Sequence, residues 1–357
     1  MELDFDRLVK ILRDPPPVPY PVILPDFFLD HFVITGSFED FMADLRKLAE
    51  QGGGNLIGTS QIISRGGNSV NTASALQALG ANPKLIVKTD KKGASILEVL
   101  VSPELDLGLV KDNGALSSTV SIETEYEGRR VNLMVSDSGS AAEFSFEDLS
   151  ENDLSAIRDC GLVALLCLNH NRNAVALAEN LFGFARDSAK SLTFMDIGDP
   201  SGNPDIIEPL TRKVLCEGLV DILGVNENEV GWFAQALSDR NDRWKQTFKE
   251  SGLWLPAAEL ISMETGVRVD LHTPSYAATI EDGECTKIPA FSVDANIVCG
   301  AGDAWNAGTI YGTLLNLMPS DRLVLANAVA ALYISSSEGD HPTPQDVISF
   351  ICSQSVR

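Results

Sequence analysis

Residues 300–317 read GAGDAWNAGTIYGTLLNL. Gly300, Ala301 and Gly302 are small, Asp303 is acidic, and the residues that follow have the apolar pattern of a buried helix. This pattern predicts a helix N-terminus without bulky side chains, where an anion can reach free backbone N–H groups. A bound phosphate would repel Asp303, so the acid needs a reason to be there, and a base that takes a proton from a hydroxyl attacking phosphorus is such a reason. The alternative is a glycine-rich turn that Asp303 caps.

The composition indicates a globular α/β protein of one large domain or two. The chain has 357 residues, of which 44% are hydrophobic and 22% are charged. The net charge of −23 disfavours nucleic acid or an anionic membrane as a partner. The six cysteines are scattered, which argues against structural zinc and disulfides. No apolar run is long enough for a membrane span, and no signal-peptide pattern is present. These observations favour a reducing cytoplasm.

The order of apolar and polar runs predicts two structural units. Residues 1–19 form an N-terminal helix and a proline-rich connector, and residues 119–135 alternate like a hairpin around Glu127-Gly128. From residue 150 onward strands alternate with helices, which is typical of a mostly parallel sheet covered on both faces. We therefore expect a large α/β domain and a small β lid. The large domain comprises 20–30, 66–114 and 146–357, and the lid comprises 31–65 and 115–145.

Two further motifs follow predicted strands. Gly66 to Asn71, GGNSVN, opens a helix, so the backbone at Gly67 can approach a ligand and the Asn71 amide can bind hydroxyls. The alternative is a plain helix start capped by Asn68. The motif Asn226-Glu227-Asn228-Glu229 follows the carboxyl end of a strand, where ligands bind in open sheets. Glu229 can reach Mg²⁺ there through water. The alternative is a helix start whose acids interact favourably with the helix dipole.

These three motifs, GGNSVNTASALQALG, NENE and GAGDAWNAG, in this order resemble the ribokinase/PfkB carbohydrate kinase family. The resemblance covers roughly residues 20–350 and suggests a divergent, archaeal-like member. It implies a ribokinase-like three-layer sandwich with a mostly parallel central sheet and a small β-sheet lid. It also implies ATP or ADP as phosphoryl donor, together with Mg²⁺.

The resemblance assigns roles to individual residues. Asp303 matches the catalytic base, and Gly300, Ala301 and Gly302 match the anion hole. In relatives the first strand ends in a glycine, and an acid five positions later binds the acceptor hydroxyls. Here Pro25 replaces the glycine and Asp30 matches the acid; Asp40 is the alternative candidate for that role. Other matching positions are Gly67, Asn68 and Asn71 for the acceptor, and Asn226 and Glu229 for phosphates and Mg²⁺. Asn169, at the carboxyl end of another predicted strand, is expected to face the acceptor.

The chain departs from the family pattern in two places. His272 to Ala277 stands where relatives have a Thr-x-Gly-x-x-Gly loop; the glycines are gone, but Thr273 and Ser275 can still offer hydroxyls to the nucleotide. Asp294 to Cys299 replaces the Asp-Thr-Thr that helps to bind a monovalent cation, which leaves that cation open. Asn327 resembles a position beside the adenine, with a core-facing or exposed role as the alternative.

We therefore expect a kinase that phosphorylates a hydroxyl of a sugar or sugar phosphate. The alternatives are a nucleoside or inositol kinase and a non-catalytic nucleoside- or sugar-binding protein. Arg65, Arg129 and Arg130 either bind a substrate phosphate or are solvated. The lid also has an apolar face too small to bury alone, so the family resemblance favours a homodimer through the lid. That face carries Val120, Ile122, Val131 and Leu133.

Overall fold

The computed structural model describes residues 5–188, 191–238, 242–297 and 299–354. The strands are β1 Pro21–Leu24, β2 Phe28–Ser37, β3 Ser60–Gly66, β4 Lys84–Leu85, β5 Ser117–Tyr126, β6 Arg129–Asp137, β7 Leu162–Leu166, β8 Leu192–Asp196, β9 Ile222–Asn226, β10 Arg268–His272, β11 Tyr276–Glu281 and β12 Glu284–Pro289. The helices are α1 Asp6–Arg13, α2 Phe38–Glu50, α3 Asn68–Ala78, α4 Lys91–Leu100, α5 Glu151–Asp159, α6 Ala174–Ser188, α7 Ile207–Leu210, α8 Glu229–Leu237, α9 Trp254–Thr265, α10 Ala301–Leu314, α11 Pro319–Ser335 and α12 Pro344–Gln354.

An eight-stranded sheet in the order β12-β11-β10-β9-β8-β7-β1-β4 forms the centre of the large domain. The strands from β10 to β4 are parallel, and β11 and β12 add an antiparallel edge. Because successive strand residues point to opposite faces, Ile23 belongs to one apolar core and its neighbours Val22 and Leu24 belong to the other. The predicted mostly parallel sheet, buried on both faces, is confirmed.

Helices cover each face and complete three layers. One core contains residues from α3, α10, α11 and α12, and also Leu8, Val9 and Leu12 of α1, which packs on α12. The other core contains residues from α5, α6, α8 and α9. The N-terminal helix is therefore part of the large domain.

The lid is a four-stranded sheet in the order β3-β2-β5-β6. The predicted hairpin is β5 and β6, joined at Glu127 and Gly128, which both have left-handed backbones with φ of 48° and 72°. Two details differ from our expectation. The lid sheet extends beyond the expected segment 31–65, because Phe28 to Asp30 of β2 and Gly66 of β3 also pair within it. In addition, helix α2 lies in the stretch that we expected to be β structure.

Across the described residues, no helix is both long and apolar enough to cross a membrane.

Candidate active site

The first turn of α10 lies where the lid meets the central sheet. Gly300 precedes the helix in a left-handed conformation with φ of 86°. A Cβ atom at this position would lie 2.6 Å from the hydroxyl oxygen of Tyr333, so glycine is required for both reasons. The first backbone N–H groups of a helix have no acceptor within it, and here they belong to Ala301, Gly302 and Asp303. This turn has the free N–H groups and the small residues that the anion site predicted from the sequence requires.

Asp303 and Asn71 meet although they are 232 positions apart in the chain. Asn71 Nδ2 donates to Asp303 Oδ2 over 3.0 Å, and Thr72 Oγ1 lies 3.4 Å from the carbonyl oxygen of Asp303. The contact forms because α3 and α10 pack side by side in the same core. The predicted base and the predicted acceptor-binding amide therefore share one site.

Asp26, which sequence reasoning missed, holds the start of α3. Its carboxylate accepts hydrogen bonds from the backbone N–H groups of Asn68 and Ser69, each 2.9 Å, and from Ser69 Oγ at 2.5 Å. A Cβ atom on Gly67 would come within 2.8 Å of Asp26 Oδ2. The cap of α3 is therefore Asp26 from the end of β1, and the Asn68 side chain does not cap it. The available signal was an acid directly after a buried strand.

Of the two candidate acceptor acids, Asp30 lies in the site. It stands on β2 against Gly66, where an added Cβ atom would overlap its carboxyl group. Asp40 instead lies exposed in the first turn of α2. Burial, with the negative charge of Asp26, raises the pKa of Asp30 to about 7.

Buried carboxyl groups dominate the electrostatics of the site. Burial raises the pKa of Asp303 well above its usual range, and the charges of Asp196, Asp26 and Asp30 act in the same direction. The hydrogen bond from Asn71 lowers it. Asp196, also missed by sequence reasoning, ends β8 and accepts a 2.7 Å hydrogen bond from Asn306 Nδ2 of α10. A base with a raised pKa is better matched to proton transfer near neutral pH.

The NENE motif forms a closed hydrogen-bonded turn at the start of α8. Asn226 donates to Glu229 from its backbone N–H over 3.0 Å and from Nδ2 over 2.7 Å, and its Oδ1 accepts from the N–H of Asn228 and of Glu229. Burial raises the pKa of Glu229 well above its usual range, and the carboxylates of Asp196, Asp199 and Glu227 add to that effect.

This acidic group is compatible with a bound divalent cation. In the described parts of the chain, no three His, Cys, Asp or Glu side chains are arranged to hold a metal ion by themselves. Mg²⁺ commonly keeps several waters and is bound through one or two carboxylates together with substrate phosphates. The un-neutralised carboxylates around Glu229 fit that mode of binding.

Of the remaining predicted nucleotide residues, Thr273 and Asn327 have internal side-chain partners. Thr273 Oγ1 donates to the carbonyl oxygen of Tyr276 over 2.7 Å, whereas Ser275 is exposed. Asn327 accepts from Trp305 Nε1 over 3.0 Å and donates to the carbonyl oxygen of Pro289 over 3.0 Å. This arrangement matches the core-facing alternative for Asn327.

Two residues at the ends of strands border the site. Asn169 Nδ2 donates to the carbonyl oxygen of Asp199 over 2.9 Å, at the sheet edge where Asp196 ends β8. His272 ends β10 and stacks on Trp305 with ring centroids 4.8 Å apart. Its Nε2 lies 3.4 Å from where a Cβ atom on Gly302 would be, and burial lowers the pKa of His272 to about 4, so the ring beside the first turn of α10 is neutral.

A buried carboxyl group beside the free N–H groups of a helix N-terminus, at the strand ends of an α/β sandwich with a small β-sheet lid, is the arrangement expected of a small-molecule phosphotransferase. The chain belongs to the pfkB family of carbohydrate kinases, whose family model matches residues 33–346. No curated protein sequence matches it.

Solved structures of several kinases share the fold. The ribokinase of Arabidopsis thaliana, complexed with ribose and ATP, has a TM-score of 0.69 at 16% identity, with 94% of this chain and 99% of that chain covered. The ribokinase of Cryptococcus neoformans, in complex with ADP, has a TM-score of 0.71 at 16% identity over 94% and 100%. The adenosine kinase of Sinorhizobium meliloti has a TM-score of 0.64 at 15% identity over 95% and 100%.

Proposed function

We propose that the protein transfers the terminal phosphoryl group of ATP or ADP to a hydroxyl of a sugar or sugar phosphate, with Asp303 as the general base. The observation that carries the proposal is the buried Asp303 carboxyl group, held by Asn71 at the unobstructed first turn of α10. A protein that only bound its ligand would have no need of a base there.

In the proposed reaction, Asp30 and Asn71 orient the acceptor and the lid excludes water. The acceptor hydroxyl loses its proton to the Asp303 carboxylate as its oxygen bonds to the terminal phosphorus. The bond from that phosphorus to the bridging oxygen breaks, and the shortened nucleotide leaves. The backbone N–H groups of Ala301, Gly302 and Asp303 stabilise the negative charge on the transferring group.

The donor nucleotide lies, in this proposal, at the ends of β9 and β10. Ser275 and the turn closed by Thr273 are near its phosphates, Asn226 orders the loop beside them, and Asn327 supports that region through Trp305. Glu229 would hold Mg²⁺ through water, and a bound ion would screen the phosphate charge.

The raised pKa of Asp303 gives the proposal a pH signature. Only the ionised carboxylate accepts a proton, so turnover rises as the pH increases through the pKa of Asp303 in the complex.

A panel of acceptors tests the proposal. Ribose, ribose phosphates, fructose phosphates, nucleosides and inositols are each incubated with ATP or ADP and Mg²⁺, with and without K⁺, and product phosphate esters are measured. We expect transfer to a sugar or sugar phosphate. Transfer to nucleosides or inositols alone would replace the acceptor class, and nucleotide binding without transfer to any acceptor would contradict a kinase.

We also propose a homodimer through the lid. Ile122 pairs with Leu133 and Val120 pairs with Val135 across the β5–β6 hairpin, so these side chains share one face. The exposed fractions of Val120, Leu133 and Val135 are 39%, 41% and 67%. Exposed apolar side chains that cluster in this way commonly mark an interaction surface. A second copy of the chain would cover it.

A further inference from the structure

The two faces of the lid sheet differ in chemistry. Asp30 on β2 is paired with Ser64 of β3 and with Thr119 of β5, and Thr119 is paired with Ser136 of β6. Directly paired residues point to the same side of a sheet, so these four polar side chains form one row, which we call the Asp30 row. Their neighbours along each strand alternate to the opposite face, which carries the exposed apolar side chains of the lid.

The face with the Asp30 row is turned toward the start of α10. Burial raises the pKa of the Cys299 thiol, just before α10, to about 12. The negative charges of Asp303, Asp30 and Glu123 add to that effect. Glu123 follows Thr119 by four positions on β5 and therefore shares its face with Asp30. Two points on this face are thus within electrostatic range of the residue before α10, which makes the Asp30 row the cover of the acceptor end.

Carboxyl groups provide the charge at this end of the site. After burial, the negative charge of Asp26 is what raises the pKa of Asp30. The charges that raise the pKa of Asp303 are those of Asp196, Asp26 and Asp30. Asp303 has to be ionised to act as a base, so its charge is present in the reacting complex. A phosphate or carboxylate on the acceptor would be repelled here, and the buried surroundings keep that repulsion strong.

Arg65 does not offset these charges. The register of β3 places it on the opposite face of the lid sheet from Asp30. Its Nη2 lies 3.5 Å from the carbonyl oxygen of Gly339. Burial lowers the pKa of Arg65, whereas Tyr333 and Asp340 raise it, so Asp340 supplies a counter-charge.

The arginines at the tip of the lid hairpin are also remote. Arg130 shares the face of the Asp30 row, but it stands opposite Glu125, six positions along β5 from Thr119, or about 20 Å. Its side chain is 78% exposed and its Nη2 lies 3.6 Å from Glu123 Oε2. Arg129 pairs with a residue of the opposite face. The lid therefore offers no uncompensated cation to the acceptor among its described residues.

The same groups are suited to hydroxyls. Thr119 Oγ1 and Ser136 Oγ lie 3.0 Å apart, and either atom can donate. No described residue donates a hydrogen bond to the Asp30 carboxyl group, so acceptor hydroxyls would supply the donors that it lacks. We propose that this end of the site selects an uncharged polyhydroxyl sugar over a sugar phosphate or sugar acid, because Asp26, Asp30 and Asp303 repel a second anion. This inference rests on the proposed kinase function.

Matched acceptors test the inference. The pairs are ribose with ribose 5-phosphate, fructose with fructose 6-phosphate, and glucuronamide with glucuronate. The last pair has nearly the same shape and differs in charge, so it separates repulsion from size. We expect the wild type to use the uncharged member of a pair with at least about 10-fold higher kcat/KM, since like charges brought together cost several kcal/mol.

A cation added to the Asp30 row should weaken this preference. Ser64→Lys places a positive charge opposite Asp30 and should improve the relative kcat/KM of the anionic acceptors about 10-fold, mainly through a lower acceptor KM. Ser60→Lys is the matched control, because it adds the same charge to the same strand and face, four positions away, or about 13 Å. It should keep the wild-type preference.

Thermal unfolding shows whether Ser64→Lys remains folded. If it does not, Asp30→Asn provides the second variant, because it removes one negative charge without changing the shape of the side chain. The ratio of kcat/KM between the uncharged and the anionic acceptor should then fall several-fold, even though both acceptors are used less well.

Three results would overturn the inference: a wild type that uses anionic acceptors as well as uncharged ones, one that rejects glucuronamide as strongly as glucuronate while it phosphorylates other sugars, or a folded Ser64→Lys protein with the same preference as Ser60→Lys. Each of these leaves the kinase proposal standing. If the wild type phosphorylates no acceptor of either kind, the proposed function itself fails.

Discussion

Replacing Asp30 by Asn should stabilise the fold at alkaline pH. The pKa of Asp30 is raised from 3.8 to about 7 by burial and by Asp26, and no described residue donates a hydrogen bond to its carboxyl group. The folded state therefore holds this proton more tightly than the unfolded state, and its stability falls as the pH rises between about 4 and 7. At about 1.4 kcal/mol per pH unit, reduced because the side chain is partly accessible, ionised Asp30 costs about 2–4 kcal/mol at pH 8.

The assay is urea unfolding of the wild type, Asp30→Asn and Asp40→Asn at pH 5, 6, 7 and 8. Asp30→Asn should gain about 2–4 kcal/mol over the wild type at pH 8 and only about a third of that at pH 5, because about one pH unit of the window from 3.8 to about 7 has been crossed there. Asp40→Asn makes the same change on exposed α2 and should follow the wild-type curve. An Asp30→Asn variant whose stability parallels the wild type at every pH would refute the argument from burial.

Three other changes have defined outcomes. Asp26→Ala removes the acceptor for the first N–H groups of α3 and should destabilise the fold by about 2–4 kcal/mol in urea unfolding; a loss below about 1 kcal/mol would argue against the cap. Gly300→Ala should destabilise more than Gly80→Ala, since φ is similar, at 86° and 89°, but only the first Cβ meets Tyr333; equal losses would remove the steric argument. Light scattering should give about twice the 38.4 kDa chain mass, with monomers for Ile122→Lys and dimers for Val99→Lys, a change at a residue that is 82% exposed on α4; a monomeric wild type at tens of micromolar would contradict the lid dimer.

The parts of the fold that were predictable have strong local patterns. Strands buried on both faces read as apolar runs, as at Val22–Leu24 and Leu162–Leu166. The lid hairpin was visible because Glu127-Gly128 permits a left-handed turn between alternating strands. The same signal, Asp282-Gly283 with φ of 52° and 78°, marks the β11–β12 hairpin, which we did not predict.

Other elements were predicted less well. Helix α2 has apolar residues at helical spacing, Phe41, Met42, Leu45 and Leu48, although none of its side chains is fully buried. That spacing was overlooked when its stretch was assigned to the β lid. The apolar run from Leu219 to Leu223 reads as one strand in the sequence, but β9 begins only at Ile222, because Asp221 forms hydrogen bonds with Thr193 just before the strand. Such a boundary depends on a partner 28 positions away.

The candidate site divides in the same way. Asp303, Asn71 and Asp30 were predictable from motifs, and the structure brings them together. Asp26 and Asp196 were missed because their importance depends on contacts with α3 and α10 across 43 and 110 positions. The amide of Asn327 is engaged by Trp305 and Pro289, which the sequence cannot show.

The central claim is that Asp303 removes the acceptor proton. Turnover of Asp303→Asn with the best acceptor, compared with the wild type at saturating substrates, tests it most directly, with nucleotide affinity measured by calorimetry on both proteins. Asn71 can still hydrogen bond to an asparagine at this position, so the fold and nucleotide binding should persist. We predict that kcat falls by about 10²–10⁴-fold while nucleotide affinity stays within a few-fold. Near-normal turnover by a folded Asp303→Asn protein would contradict the claim.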